Sequence, residues 1–231
     1  MANLYLIPSD FGEHSKQMLA PYSLEIVHSL RLFFVENGKA TRHFLKRSGF
    51  SHLQESIYIE LSSKGREADL QEMVTLMEKG QDAGLISDAG CPAIADPGAE
   101  IVAAAQRAGI RVVPLPGPSA ILMALMASGF NGQKFTFHGY LDKTKLGRQE
   151  DLKMLERNVH KFNETAIFIE TPYRNDYMLE DILDVCRPET GLCVAADITL
   201  PDEFIRSMKI AAWRKSKLKI GERPAVFVLG R

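Results

Sequence analysis

The 231-residue sequence holds no run of eighteen or more apolar residues, so no segment is long enough to cross a bilayer as a helix. Its first ten residues, MANLYLIPSD, reach polar side chains after a few apolar ones and lack the apolar stretch of a secretory signal. A cytoplasmic protein with no membrane contact is expected. Cysteine is scarce: Cys91, Cys186 and Cys193 are odd in number and none is spaced as C-x-x-C. That argues against a disulfide framework, a zinc site or a redox pair, and no metal is expected. An excess of one charge is missing too. With 28 Lys+Arg against 29 Asp+Glu the net charge is −1, so any surface for a polyanion must be a local patch.

Several familiar site motifs are also absent. No G-x-G-x-x-G follows a strand and no G-x-x-x-x-G-K-[ST] occurs, which excludes the usual dinucleotide and P-loop phosphate sites. There is no G-x-S-x-G elbow and no H-E-x-x-H pair.

What the chain does have is alternation. Apolar runs NLYLIP, RLFFVE, SIYIEL, AGLIS, RVVPL, KFTFHGY, TAIFIE, LCVAAD and AVFVLG are separated by stretches of helical period, the pattern of α/β layers containing parallel strands. READLQEMVTLMEKG places Leu70, Met73, Val74 and Met77 on one face and ends at a glycine, which predicts a helix. The stretch LISDAGCPAIADPG runs from a strand into a loop dense in Gly, Pro and Asp. There Asp96 is expected to cap, and Pro97 to open, a helix with Ile101, Val102, Ala105 and Ala108 on its inner face and Gly109 at its end. AILMALMAS is apolar on every side, so a helix there is expected to be buried between domains or subunits. Three prolines and a glycine in PLPGP, residues 114–118, stiffen the chain. They set the expected boundary between two α/β domains, 1–114 and 115–231.

In open α/β sheets ligands bind beyond the carboxyl ends of the strands. Four strand-end loops are therefore candidate walls of a site: PSDFGE, SDAGCP, PLPGPS and ETPYR. Gly90 and Gly117 let main chain approach a ligand, and Asp88 can accept a hydroxyl or ammonium proton. Cys91 has no neighbouring cation in sequence and is expected to be an inert thiol. His138 alternates with apolar neighbours as an ordinary strand residue, and WRKSKLK is expected to be a solvated face with Trp213 packed beneath it.

LISDAGCPAIADPG, AGIRVVPLPGPSA, GYL, IFIETPYR and GERPAVFVLG resemble, in order and spacing, the tetrapyrrole methylase superfamily, nearest to its ribosomal small-subunit methyltransferase I family. That family methylates a ribose 2′-hydroxyl of 16S ribosomal RNA. The resemblance spans nearly the whole chain. It implies a tetrapyrrole methylase-like, class III methyltransferase fold of two α/β domains, S-adenosylmethionine in the cleft between them, and a homodimer. By position it implies Ser87, Asp88, Ala89, Gly90 and Pro92 beside the methionine part of the cofactor, and Pro116, Gly117, Pro118 and Ser119 in the adjoining turn. Ile169 with Glu170, Ala195, Ala196, Pro224 and Ala225 fall on the adenosine side, and Thr41, Arg42 and His43 near the substrate entrance. The sequence departs from the family in places. Residues 8–13 read PSDFGE against P-T-P-I-G-N, Asn37 replaces an acid and is followed by three extra residues, and Ala196 and Leu200 replace an Arg and a Lys. The small C-terminal domain common in that branch has no counterpart in these residues.

Transfer of a methyl group to a hydroxyl calls for a proton acceptor. Glu36, Glu170, Asp197 and His43 are available, with Glu36 and Glu170 favoured as catalytic. Arg42, Arg174, Lys143, Lys145 and Arg148 are candidates to grip phosphates, and the substrate-binding set is Arg42, His43, Arg148 and Arg174. Three functions stay open on the sequence: RNA methylation, methylation of a tetrapyrrole or other small molecule, and a cofactor-binding module without transfer activity.

Overall fold

The computed structural model describes residues 2–12, 18–61 and 67–231. Glu13 of the first loop and Arg66 at the head of the expected helix lie outside them. The chain divides into two compact units, Met1–Ser119 and Ala120–Arg231.

In the first unit five strands, β1 (Asn3–Ile7), β2 (Leu32–Val35), β3 (Ile57–Glu60), β4 (Ala83–Ile86) and β5 (Arg111–Pro114), alternate with helices α1 (Pro21–Ser29), α2 (Gly38–Arg47), α3 (Glu67–Glu78) and α4 (Ala99–Arg107). The strands form one sheet in the order β3-β2-β4-β1-β5, with every pair parallel. Central strands of a parallel sheet are covered on both faces and so read as unbroken apolar runs. LFFV of β2 and AGLI of β4 are buried at every position, whereas edge strands β3 and β5 are half exposed. Leu4, Phe34 and Leu85 face Met73, Met77, Ile101 and Ala105 of α3 and α4. Ile7, Phe33 and Ile86 face Val27, Phe44 and Leu45 of α1 and α2.

Two sequence expectations are corrected in this unit. Helix α4 begins at Ala99 with Gly98 as its cap, at φ +128°, and no side chain caps it. Asp96 and Pro97 therefore stay in the loop. A Cβ on Gly98 would come 2.9 Å from the Leu85 side chain, so a glycine is what lets the helix start against the sheet. The unit also extends to Ser119, beyond the expected 114/115 boundary, because the proline-rich turn is fastened to it. Leu115 N–H donates to Leu6 O at 2.9 Å, the Ser23 hydroxyl donates to Pro116 O at 3.2 Å, and a Cβ on Gly117 would collide with the Pro8 ring.

The second unit contains α5 (Ala120–Ser128), β6 (Phe135–Tyr140), α6 (Lys145–Phe162), β7 (Thr165–Glu170), α7 (Asn175–Val185), β8 (Gly191–Ala196), β9 (Phe204–Lys209), α8 (Ile210–Ser216) and β10 (Ala225–Gly230). Its sheet runs β6-β7-β10-β8-β9. Only the β6–β7 pair is parallel; the others are antiparallel. β10 alternates between two cores. Ala225, Phe227 and Leu229 pack with Leu152, Met178 and Trp213 of α6, α7 and α8, while Val226 and Val228 pack with Ala124 and Leu125 of α5, the period-2 signature of a strand. Trp213 is buried and donates its indole N–H to Leu192 O at 2.9 Å. Strand β9 was not among the expected strands. Helix α5 is only partly covered: Ala124 and Leu125 are buried, but Leu122 and Met126 are exposed, Met126 by 83%. Among the described residues no helix is long and apolar enough to cross a membrane.

Candidate functional site

The connections after β2 and β4 leave the first sheet in opposite directions, toward β3 on one side and toward β5 on the other. Such a switch point opens a crevice at the strands' carboxyl ends. Glu36 follows β2 there and receives the Asp88 backbone N–H on Oε2 at 3.2 Å, while its own N–H donates to Ile86 O at 3.3 Å.

The loop after β4 is tied to both of its neighbours. Ser9 N–H donates to Gly90 O at 2.9 Å and Gly90 N–H to Ser9 O at 3.3 Å, an isolated antiparallel bridge between the ends of β1 and β4. The Cys91 thiol donates to Pro118 O at 3.4 Å, and Pro118 O lies 3.7 Å from where a Cβ of Gly90 would sit. Gly90 and Gly117 thus stand at one end of one unit. They were expected on different domains, but the turn holding Gly117 folds with the first. Pro116 and Gly117 are exposed, and Pro92 and Pro118 are buried. The Ser87 hydroxyl donates to Gly90 O at 3.2 Å, leaving Asp88 and Ala89 exposed.

This loop is also strained. Gly90 has φ +78°, and Ala93 and Ala95 hold φ +65° and +63°, a region that costs a residue with a Cβ about 1–2 kcal/mol. Strain of this kind persists where surrounding structure holds it and is concentrated at functional loops. With Gly98, that accounts for the density of special residues between β4 and α4.

Three carboxylates gather here. Burial, then the neighbouring Glu36, pushes the Asp88 carboxyl up from its ordinary range. Burial pushes Asp96 up to about 6, with Glu36 adding to the shift and the polar Ser87 side chain opposing it. Asp96 was expected only as a helix cap. Its place beside Glu36, sixty positions earlier in the chain, leaves no local sequence signal.

On the other side of the β1 loop lies a hollow of about 210 Å³, lined by Asp10, Phe11, Gly12, Ala40, His43, Phe44, Arg47, Ser87, Asp88 and Ala89. Helix α2 forms one wall. Asn37, where the resembling family has an acid, caps α2 by accepting N–H bonds from Lys39 at 2.9 Å and Ala40 at 3.1 Å. The three extra residues, Gly38-Lys39-Ala40, form its first turn. Thr41 is buried and its hydroxyl has no partner among the described residues; the same holds for the Ser9 hydroxyl beside Gly90, 1% exposed. Arg42 is exposed, its guanidinium 4.4 Å above the Tyr58 ring.

In the second unit Ile169 and Glu170 end β7, Ala195 and Ala196 end β8, and Ala225 begins β10 opposite both Glu170 and Ala196. Asp197 N–H donates to Pro224 O at 3.0 Å. These residues form one strip at one end of the second sheet. Glu170 is buried, and its Oε1 accepts from Thr171 N at 2.6 Å and from Arg174 at 2.7 and 3.0 Å. Its Oε2 has no partner among the described residues. Arg174 is thereby engaged. Arg148, expected among the substrate-gripping cations, is 5% exposed and gives Nε and Nη2 to Asp181 at 2.7 and 2.5 Å. It ties α6 to α7 inside the unit and is removed from the substrate-binding set. Lys145 stays exposed, 3.8 Å from the same carboxylate. Among the described residues no group of three His, Cys, Asp or Glu side chains is arranged to hold a metal ion.

A profile of the family described as Tetrapyrrole (Corrin/Porphyrin) Methylases matches residues 19–213. Among curated proteins, the Ribosomal RNA small subunit methyltransferase I of Vibrio cholerae is 33% identical over 90% of this chain and 69% of its own length. The protein of that name from Escherichia coli O157:H7 is 31% identical over 92% and 72%. Among solved structures, the methyltransferase CobJ superposes with a TM-score of 0.66 at 16% identity, covering 100% of this chain and 93% of that one. Uroporphyrin-III C-methyl transferase from Thermus thermophilus, solved with S-adenyl homocysteine, gives 0.58 at 16% identity over 100% and 98%. At these identities the structural matches speak for the fold.

Proposed function

The chain belongs to the tetrapyrrole (corrin/porphyrin) methylase family, in the branch of ribosomal RNA small subunit methyltransferase I, and from that premise we propose that it is an S-adenosylmethionine-dependent methyltransferase acting on a ribose 2′-hydroxyl of small-subunit ribosomal RNA. The observation that carries the proposal is the joining of the β1, β4 and β5 ends through Ser9, Gly90 and Pro118, at a switch point that also holds Glu36, Asp88 and Asp96. The residues present suit such a cofactor. Asp88 offers an exposed carboxylate to an ammonium group, and the Ser9 hydroxyl is a buried polar group without a partner among the described residues, the kind of group that a ligand satisfies.

When bound, S-adenosylmethionine supplies an electrophilic methyl group. The protein's own part is to orient the acceptor, exclude water and take a proton. Ser87, Asp88, Ala89, Gly90 and Pro92, with Pro116, Gly117, Pro118 and Ser119, hold the cofactor from the first unit. In the second, Ile169, Ala195, Ala196, Pro224 and Ala225 keep the adenosine role that the family pattern gives them. Glu36 is the proton acceptor, a role that contributes about 10²–10⁴-fold when well placed. The Arg174 ion pair makes Glu170 a brace of the β7 end instead. Arg42 and His43 face the RNA. The exposed apolar Leu122 and Met126 of α5 support a homodimer that covers them, and the substrate places the protein in the cytoplasm.

Calorimetry with S-adenosylmethionine, followed by transfer of labelled methyl to small ribosomal subunits and, separately, to uroporphyrin, tests the reading. Label in the small-subunit RNA at a ribose is expected. Binding with label only in the tetrapyrrole, or in neither, would overturn it.

A further inference from the structure

Arg47, the last residue of α2, stands out in the hollow beside β1. Its Nε donates to Asp10 Oδ2 at 3.1 Å and its Nη2 to Asp10 Oδ1 at 2.5 Å. Asp10 is 4% exposed while the Arg47 side chain is 29% exposed, so the carboxylate is enclosed and the guanidinium reaches the hollow. Nη1 has no hydrogen-bond partner among the described residues. A buried ion pair is poor evidence of stabilisation by itself, since apolar residues of similar volume do as well. An Arg fixed side-on by a carboxylate at the lip of a cavity is instead arranged to offer its remaining donors to an oxyanion.

We propose that this hollow seats one phosphate of the substrate strand, gripped by Arg47, with Asp10 as the residue that positions it. His43, four residues earlier on α2, shares the lining, as the i, i+4 spacing on a helix requires. The volume of about 210 Å³ exceeds the share of several water molecules, roughly 30 Å³ each, and admits a phosphate with part of its sugar. Asp88, the other acid of the lining, is the group that the proposed function sets against the cofactor's ammonium group, so the hollow adjoins the cofactor loop. A phosphate held by Arg47 thus lies in a hollow whose other wall is the loop proposed to hold the cofactor. Arg47 takes the place in substrate binding that the fold denies to Arg148.

The inference rests on RNA being the substrate, and the wild-type labelling experiment tests that first: if wild type labels no RNA, the functional reading and this proposal both fall. Given a labelling wild type, the decisive variant is D10N/R47Q, which replaces the ion pair by two neutral amides and leaves no buried charge unpaired. It is expected to raise KM for RNA about tenfold and to reduce the salt-dependence slope of RNA binding by about one, with kcat and S-adenosylmethionine affinity within about twofold of wild type. R47K keeps the charge and loses the fork, and is expected to fall between the two. Wild-type KM and slope in D10N/R47Q, or equal losses in kcat and cofactor affinity alongside a lowered melting temperature, would show the pair to be a strut. Binding of inorganic phosphate with no change in the RNA slope would assign the seat to a free anion and overturn the proposal equally.

Discussion

The Asp88 backbone N–H points at the Glu36 carboxylate, 3.2 Å from Oε2, and so fastens the carboxyl end of β4 to that of β2. The bond leaves the second Glu36 oxygen for other work and fixes the side chain's direction. Glu36→Gln keeps an acceptor for that N–H and removes the proton-accepting charge. It is expected to lower kcat by about 10²-fold or more while leaving the melting temperature and cofactor affinity close to wild type. Single-turnover methyl transfer together with calorimetry distinguishes this from a folding defect.

Asp96 gives the fold a pH signature of definite sign. Its carboxyl titrates near 6 in the folded protein against 3.8 ordinarily, so between these values the folded state binds more protons than the unfolded one. Stability then falls as pH rises through that window and levels off above it. Asp88, shifted the same way, adds to the slope. Asp96→Asn removes the larger part, and is expected to be more stable than wild type at pH 7–8 by about 1 kcal/mol after discounting for solvent on its exposed side. Scanning calorimetry of both proteins from about pH 4 to 8 checks the sign. A wild type that grows more stable toward pH 8 relative to Asp96→Asn would contradict it.

Arg148→Gln tests the correction made to the substrate-binding set. It leaves the buried Asp181 carboxylate without its main partner and is expected to cost about 3–5 kcal/mol. Any protein that remains folded should bind RNA with wild-type affinity and an unaltered salt slope. Chemical denaturation and filter binding read the two effects separately.

Much of this architecture is legible in the residues. Continuous apolar runs such as LFFV and AGLI identify central parallel strands, and the 3.6-residue period of Leu70, Met73, Val74 and Met77 identifies α3. Strand β9 escapes because FIRSMK lies at a sheet edge and carries exposed Arg206, Ser207 and Lys209, so its composition reads as loop. Arg148 looks like part of a basic cluster with Lys143 and Lys145, yet it shares a helix face with Leu152, Leu155 and Val159, all buried, and that face governs its environment. Asp96 and the Asp10–Arg47 pair are harder. Their meaning depends on groups brought together from distant stretches by the strand order, and no local pattern encodes that proximity. The helix start at Gly98 fails for a different reason: Asp-Pro favours a cap by local chemistry, but the closeness of Leu85 makes the glycine the better pivot.

The strand order of the second sheet bears on how the protein is made. β10 is its middle strand, bounded by β7 and β8, although residues 225–230 are translated after all its partners. On the ribosome, the β6–β7 pair and the β8–β9 pair therefore wait as two unjoined flaps with apolar edges open, and only arrival of the final strand zips them together. Interrupting synthesis shortly before that strand would leave a first unit able to fold and a second unit split along its centre, a substrate for chaperones rather than a shortened enzyme.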